Sequence, residues 1–325
     1  MQTKKIKIAT LGAAVQDVFL EGNVLTAKRD VRTQDDVEQF PLGEKLELEN
    51  VTFSTGGGAT NAAVTFARHG FDTTLLAKIG KDPAATAITS DMQDEGVNTA
   101  MVAVDGMLTT GYSTLLLSPS GERTALVFRG ASERLEADNF DLNSFDTNWL
   151  YITSLGGNMA LLEAAIEWAI EKDIKVAIDP GSDELKHPEE LREMLSGVTL
   201  VKGNIEEMGK LFGGKKPKDI LKEAAEYTDY AIVTDGPNGS WATDSKKVYK
   251  AGMYEAVKVA DRTGAGDAFG SGFVAVLASG GDIEKALTFG SANSTSVVQY
   301  VGAKKGILGA NAELKEMEIE VSNLN

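Results

Sequence analysis

Asp261, Arg262, Thr263, Gly264, Ala265, Gly266 and Asp267 place small residues, a threonine and an arginine between two carboxylates. An apolar run follows, with Ala268, Phe269, Phe273, Val274, Val276 and Leu277 at helical spacing. The pattern predicts a glycine turn opening a helix, with backbone N–H groups pointing outward from its first turn. Such a terminus stabilises anions through its unpaired N–H groups and the helix dipole. Asp267 would lie beside the bound anion. That arrangement suits phosphoryl transfer: amides steady the charge on the moving group, and a carboxylate takes the proton of an attacking hydroxyl. The same residues would equally make an ordinary glycine turn capped by an acid, and this stretch alone does not choose between the two.

A second stretch chooses. Gly56-Gly57-Gly58-Ala59-Thr60-Asn61-Ala62-Ala63 opens another helix far upstream. Asn204-Ile205-Glu206-Glu207 forms an Asn-x-x-Glu element, and Val233-Thr234-Asp235-Gly236-Pro237-Asn238-Gly239 follows. Together these four stretches resemble the signatures of the ribokinase (PfkB) family of carbohydrate kinases. They occur in family order, and the resemblance spans nearly the whole chain, from Gly12 to about Gly302.

The resemblance implies an ATP-dependent kinase phosphorylating a hydroxymethyl group of a sugar or sugar-like substrate. Asp267 would be the general base, and Gly264, Ala265 and Gly266 the anion hole. Asp17, Gly56, Gly57 and Asn61 would hold the substrate. A carboxylate accepts strongly from two sugar hydroxyls, and glycines let the backbone approach. Thr234, Gly236 and Gly239 would line the nucleotide, Asn293 matches a family position near the adenine, and Lys202 could reach a phosphate. Asn204 and Glu207 would order Mg²⁺, mostly through water, as a reluctantly dehydrated ion requires. The same pair would also serve as a helix cap with a supporting acid. Asp261 and Thr263 match residues that hold a monovalent cation such as K⁺ in some members, or the loop beside it.

Departures from the family pattern bear on the substrate. Ribokinases carry Asn where this chain has Val15, and an acid near the place of Leu155 and Gly156. Losing polar contacts changes which substrate a site accepts. Phe19, Phe53, Tyr112 and Phe128 could cover a nucleobase, as in the nucleoside kinases of the family, or pack as core. Arg129 could meet an acidic or phosphorylated substrate, whereas Arg262 reads as solvated. A nucleoside kinase, and a non-catalytic sugar-binding or regulatory homologue, are therefore the competing readings. Gly209 to Lys216 nearly matches a P-loop, but Lys216 stands where Ser or Thr must bind Mg²⁺, and the stretch reads as a helix end.

The elements that must position these groups follow from periodicity. Apolar runs at Trp149 to Thr153, Lys175 to Ile178, Thr199 to Val201 and Tyr230 to Val233 alternate with helical stretches such as Ala160 to Glu171. Alternation of this kind predicts a mostly parallel sheet covered by helices on both faces, a ribokinase-like α/β/α core. Residues 1–18, 54–100 and 129–325 are assigned to that core. Residues 19–53 and 101–128 break the rhythm and are assigned to a small inserted β lid, with a turn at Ser118-Pro119-Ser120-Gly121. An exposed lid face would invite pairing with a second copy, so a homodimer is expected.

The chain has 325 residues, a net charge of −16 and no cysteine. So acidic a surface repels nucleic acid and anionic membranes, and ATP too must be held by local groups. Without cysteine there are no disulfides or thiolate sites, which fits a cytoplasmic protein. Lysines before an apolar run at Ile6 to Val15 superficially suggest a signal peptide, but Lys7 interrupts the run, which reads as a first buried strand. Only His69 and His187 are present, and both are read as structural.

Overall fold

The structure is a computed structural model that describes residues 5–119, 123–142 and 145–324. Among these, ten strands form one sheet, in the order Ile319–Asn323, Lys247–Ala251, Ser240–Thr243, Tyr230–Thr234, Leu200–Asn204, Lys175–Ile178, Trp149–Ile152, Lys7–Leu11, Asp72–Ile79 and Val102–Val104. From Tyr230–Thr234 to Val102–Val104 every pair is parallel, and the three strands at the other edge run antiparallel.

Side chains alternate across a strand, which sends successive residues to opposite layers. Ala9, Leu150, Ile152, Val176, Ile178, Val201 and Val233 pack under helices Met159–Glu171, Pro188–Met194, Ile205–Phe212 and Pro217–Ala224. Ile8, Trp149, Tyr151, Ala177, Leu200 and Ile232 pack under Gly58–Arg68, Ala265–Ala278 and Ile283–Val297. Both faces being covered explains why the central strands read as continuous apolar runs.

A four-stranded sheet stands apart, in the order Asn50–Gly56, Val15–Glu21, Gly111–Leu117 and Arg123–Phe128. The expected segment boundaries need two corrections. Val15 to Val18 and Ser54 to Gly56 belong to this small sheet, because the chain leaves the core at Gly12 rather than after Val18. Val102–Val104 belongs to the large sheet, pairing parallel with Ala77 to Ile79. Its three residues form an edge strand too short to show a pattern. The hairpin joining Gly111–Leu117 to Arg123–Phe128 is antiparallel. Of the expected turn, Ser120 and Gly121 lie outside the described residues.

Gly209 to Lys216 is a helix end and loop, as read: helix Ile205–Phe212 stops at Gly213 and Gly214, which take φ of 78° and 83°. No helix among the described residues is long and apolar enough to cross a membrane.

Candidate active site

The sheet's carboxyl ends gather the site, as expected for an open α/β sheet. Helices Gly58–Arg68 and Ala265–Ala278 point their N-termini at it. Elsewhere Asp82, Asn158, Asn204 and Asp282 close helix starts with a side chain. The two helices at the site instead begin on Gly57 (φ 95°) and Gly264 (φ 76°), with no side-chain cap. Their first-turn amides are left for something else. A Cβ at Gly264 would run into Ala303, and at Gly57 into the Ala13 carbonyl, so glycine is needed at both places on two counts.

Asp267 sits in the first turn of Ala265–Ala278 and accepts a hydrogen bond from Asn61 Nδ2 at 2.8 Å. Two cavities meet there. One, of about 310 Å³, is lined by Asp17, Gly57, Asn61, Ser113, Gly264 and Asp267, among others. The second is lined by Asp179, Lys202, Asn204, Glu207, Thr234, Gly264, Gly266 and Asp267. Gly264 and Asp267 are common to both. A third cavity continues past Thr234, Gly236, Gly239, Ala265 and Gly266. The three cavities thus adjoin around the first turn of Ala265–Ala278.

A profile of the pfkB family carbohydrate kinases matches residues 29–308. The chain belongs to that family. The 5-dehydro-2-deoxygluconokinase of Bacillus velezensis is 28% identical over 295 residues, covering 84% of this chain and 89% of its own. The ribokinase of Staphylococcus aureus is 27% identical over 314 residues, covering 93% and 96%. The structure of Arabidopsis thaliana ribokinase complexed with ribose and ATP superposes with a TM-score of 0.76 at 20% identity, covering 94% of this chain and 96% of that one. The protein is a pfkB carbohydrate kinase with the ribokinase fold. Membership carries ATP-dependent phosphorylation of a sugar or nucleoside alcohol group.

Within the kinase, Asp17 lies on a small-sheet strand, in a row with Ser113 and Val127. Burial pushes its carboxyl up to about 6, against the opposing pull of the Ser113 hydroxyl and Lys304. Gly56 does not line the cavity: a Cβ there would fall on the Asp17 carboxylate, so its role is to make room for that side chain.

Lys202 is buried, with Nζ 2.6 Å from Asp179 Oδ2, and a Cβ on Gly266 would lie 3.1 Å from the same Nζ. The ammonium therefore sits beside Gly266, on the wall of the second cavity. Burial works against its charge, but the Asp179 carboxylate outweighs it and lifts Lys202 above the usual lysine value. Burial also raises Asp179, to about 6.

Asn204 and Glu207 form a reciprocal cap. Asn204 Oδ1 accepts from the N–H groups of Glu206 and Glu207 at 2.9 Å each, and Glu207 Oε2 accepts from Asn204 N–H at 2.8 Å. Among the described residues no three His, Cys, Asp or Glu groups cluster as a metal cage. Asn204, Glu207 and Asp179 do face one cavity, a thin oxygen set that suits an ion keeping most of its water. Asp261 is different. Its Oδ1 accepts from Thr263 N–H and Oγ1–H, and its Oδ2 from Gly302 N–H. Those bonds make it the residue that closes the turn onto the 302 segment.

Asn293 corrects an expectation. It is fully buried and does not line the third cavity, donating to the Ala268 carbonyl and accepting from Leu308 N–H, each at 2.8 Å. Ser291, Ser294 and Thr295 of the same helix line that cavity instead. At 3.6 residues per turn, Asn293 falls on the opposite side from Ser291. His69, read as structural, packs against Phe71 and Phe289, and burial pushes it below the usual histidine value.

Sequence reasoning missed Ser113, Arg123, Glu133, Asp179 and Lys304. The first four line the cavities. Lys304 Nζ donates to Thr55 O and Oγ1 at 2.7 and 2.6 Å, tying the strand that ends at Gly56 to the core. Burial pushes this ammonium down to about 8. Lysine after Gly302-Ala303 was the available signal, but nothing local marks it as buried.

Proposed function

We propose that the protein is an ATP-dependent kinase of a sugar or sugar-like alcohol. The observation that carries the reading is the junction: Asp267 and Gly264 line both the polyol cavity and the phosphate cavity. An acceptor held by Asp17, Gly57 and Asn61 would present a hydroxymethyl group to Asp267. The hydroxyl oxygen attacks the γ-phosphorus of ATP, Asp267 takes its proton, the β–γ bridging bond breaks and ADP leaves. Amides at Gly264 to Gly266, with Lys202 beside them, would steady the charge that spreads over the transferring group. Mg²⁺, when bound near Asn204 and Glu207, would neutralise phosphate charge.

The acceptor cavity favours a sugar over a nucleoside. Among the described residues lining it there is no aromatic ring. Phe19 is fully buried in core, and Phe53, Tyr112 and Phe128 lie on the opposite face of the small sheet, 68%, 37% and 56% exposed. A nucleobase would have no stacking partner there. The small sheet is proposed to act as a lid over the reactive phosphate, and its outer apolar face to pair with a second copy.

A coupled assay of ADP release over sugars, sugar acids, sugar phosphates and nucleosides tests the function. Release with a sugar-class alcohol is expected; release with nucleosides alone would favour that branch. Acceptor binding without any release would point to the non-catalytic homologue.

A further inference from the structure

The acceptor cavity has a basic wall: Arg129 lines this cavity alone, and Arg123 stands where it opens into the phosphate cavity and lines both. Register in the small sheet sets Arg123, Ala125 and Val127 opposite Leu117, Leu115 and Ser113, on the face that carries Asp17. Arg129 follows the same strand directly, and both arginines line the cavity. Arg129 donates from Nη2 to Asp183 at 2.7 Å, while its Nη1 lies 3.9 Å from where a side chain on Gly156 would begin. One edge of the guanidinium is anchored and the other looks along the cavity wall. Asp183 also takes Lys186 Nζ at 2.6 Å, so its charge is shared between two cations. The Arg123 backbone pairs with Leu117, but its side chain makes no hydrogen bond or ion pair among the described residues. Glu133 lines the cavity too, but pairs with neither arginine.

Around the arginines the wall is apolar: Val15, Leu115, Ala125, Val127 and Leu155. A neutral polyol would leave the Arg123 side chain and the free edge of Arg129 without an acceptor on this wall. Arginine's planar fork matches the oxygens of a carboxylate or a phosphate, and such pairs gain strength where water is thinned out. A chain with a net charge of −16 repels anions at long range, so it binds one only through such short-range contacts.

We propose that the acceptor is an anionic sugar derivative whose carboxylate or phosphate is held by Arg129 and Arg123, while a hydroxyl at its other end reaches Asp267. The placement of that hydroxyl rests on the kinase reading above; the anion contact rests on the arginines alone.

Calorimetry without nucleotide tests the anion contact. Matched pairs are titrated into the whole protein: an aldonate against its neutral alditol, and a hexose 6-phosphate against the hexose. In at least one pair the charged member is expected to bind roughly 5-fold or more tighter, as for ion pairs made by half-exposed arginines. Which pair shows it separates carboxylate from phosphate. The ratio should collapse in Arg129→Ala and be partly kept in Arg129→Lys. Arg123→Ala removes no intramolecular bond, so it carries the test if Arg129→Ala fails to fold, and it too should lower the ratio. Neutral members binding as tightly as charged ones in both pairs, or a ratio that survives both arginine substitutions, overturns the proposal. ADP release measured on the same compounds separates the two readings. Tight anion binding without release keeps this inference and sinks the kinase reading; release with neutral acceptors alone does the reverse.

Discussion

Asn61 and Asp267, 206 positions apart, are joined by one hydrogen bond of 2.8 Å from the amide of one to the carboxylate of the other. Each lies in the first turn of a helix that starts on a positive-φ glycine. A second bond, Ser271 Oγ to Thr65 Oγ1 at 2.9 Å, ties the same two helices one turn deeper. The acceptor loop and the proposed catalytic helix are thus one rigid unit, and the carboxylate's direction is set by the acceptor side.

Asn61→Ala should therefore lower kcat by about 10–10²-fold, as misplacing a reacting group does. Asn61→Asp should be worse, because it replaces a donor with a like charge against Asp267. Steady-state kinetics at saturating acceptor checks the order; an Asp variant as active as the Ala variant would contradict it.

Asp17 should trade stability for binding. Its carboxyl titrates near 3.8 when unfolded and is pushed to about 6 in the fold, chiefly by burial. Between those values the folded protein holds more protons, so Asp17's contribution to stability rises as pH falls from about 6 towards 4, and its charge costs stability at neutral pH. Asp17→Asn should then stabilise the ligand-free protein by ~1–3 kcal/mol at pH 7 and weaken acceptor binding at least ~10-fold. Wild-type acceptor affinity should also fall below pH 6, as the carboxylate is lost. Thermal unfolding with and without acceptor checks both; a variant less stable than wild type without ligand would count against this account.

The reciprocal cap at Asn204 and Glu207 lets metal and structural roles be separated. Glu207→Gln keeps an acceptor for Asn204 N–H but removes a charge, so the Mg²⁺ needed for half-maximal rate should rise several-fold with little change in Tm. Asn204→Ala should cost ~1 kcal/mol of stability at any Mg²⁺ concentration. An unchanged Mg²⁺ dependence in Glu207→Gln would leave the cap as its whole role.

If the small sheet is a lid, amide exchange along Gly111–Leu117 and Arg123–Phe128 should slow when acceptor binds. Equal protection in both states would argue against closure. Sedimentation tests assembly apart from this: the exposed face bearing Phe53, Leu126 and Phe128 predicts a dimer, and a 34.5 kDa particle at micromolar concentration would refute it.

Local features of this fold were legible and long-range ones were not. Lys175–Ile178 is a strand over the expected residues, because a buried parallel strand is a short apolar run between turns. The glycine turn before Asp267 was legible because its chemistry is contiguous. Asp179 was not, since it becomes a partner of Lys202 only when two neighbouring strands align. Arg123 was missed because which face it takes depends on register with Gly111–Leu117, and a one-residue slip would point it away. Asn293 was misplaced for a related reason: a polar residue on a helix says nothing of which side faces the cavity.

The most direct measurement is single-turnover phosphoryl transfer by Asp267→Asn, with nucleotide and acceptor affinities measured on the same protein. The account predicts a loss of about 10²–10⁴-fold in rate with both affinities within a few-fold of wild type. A rate near wild type would contradict Asp267 as the base.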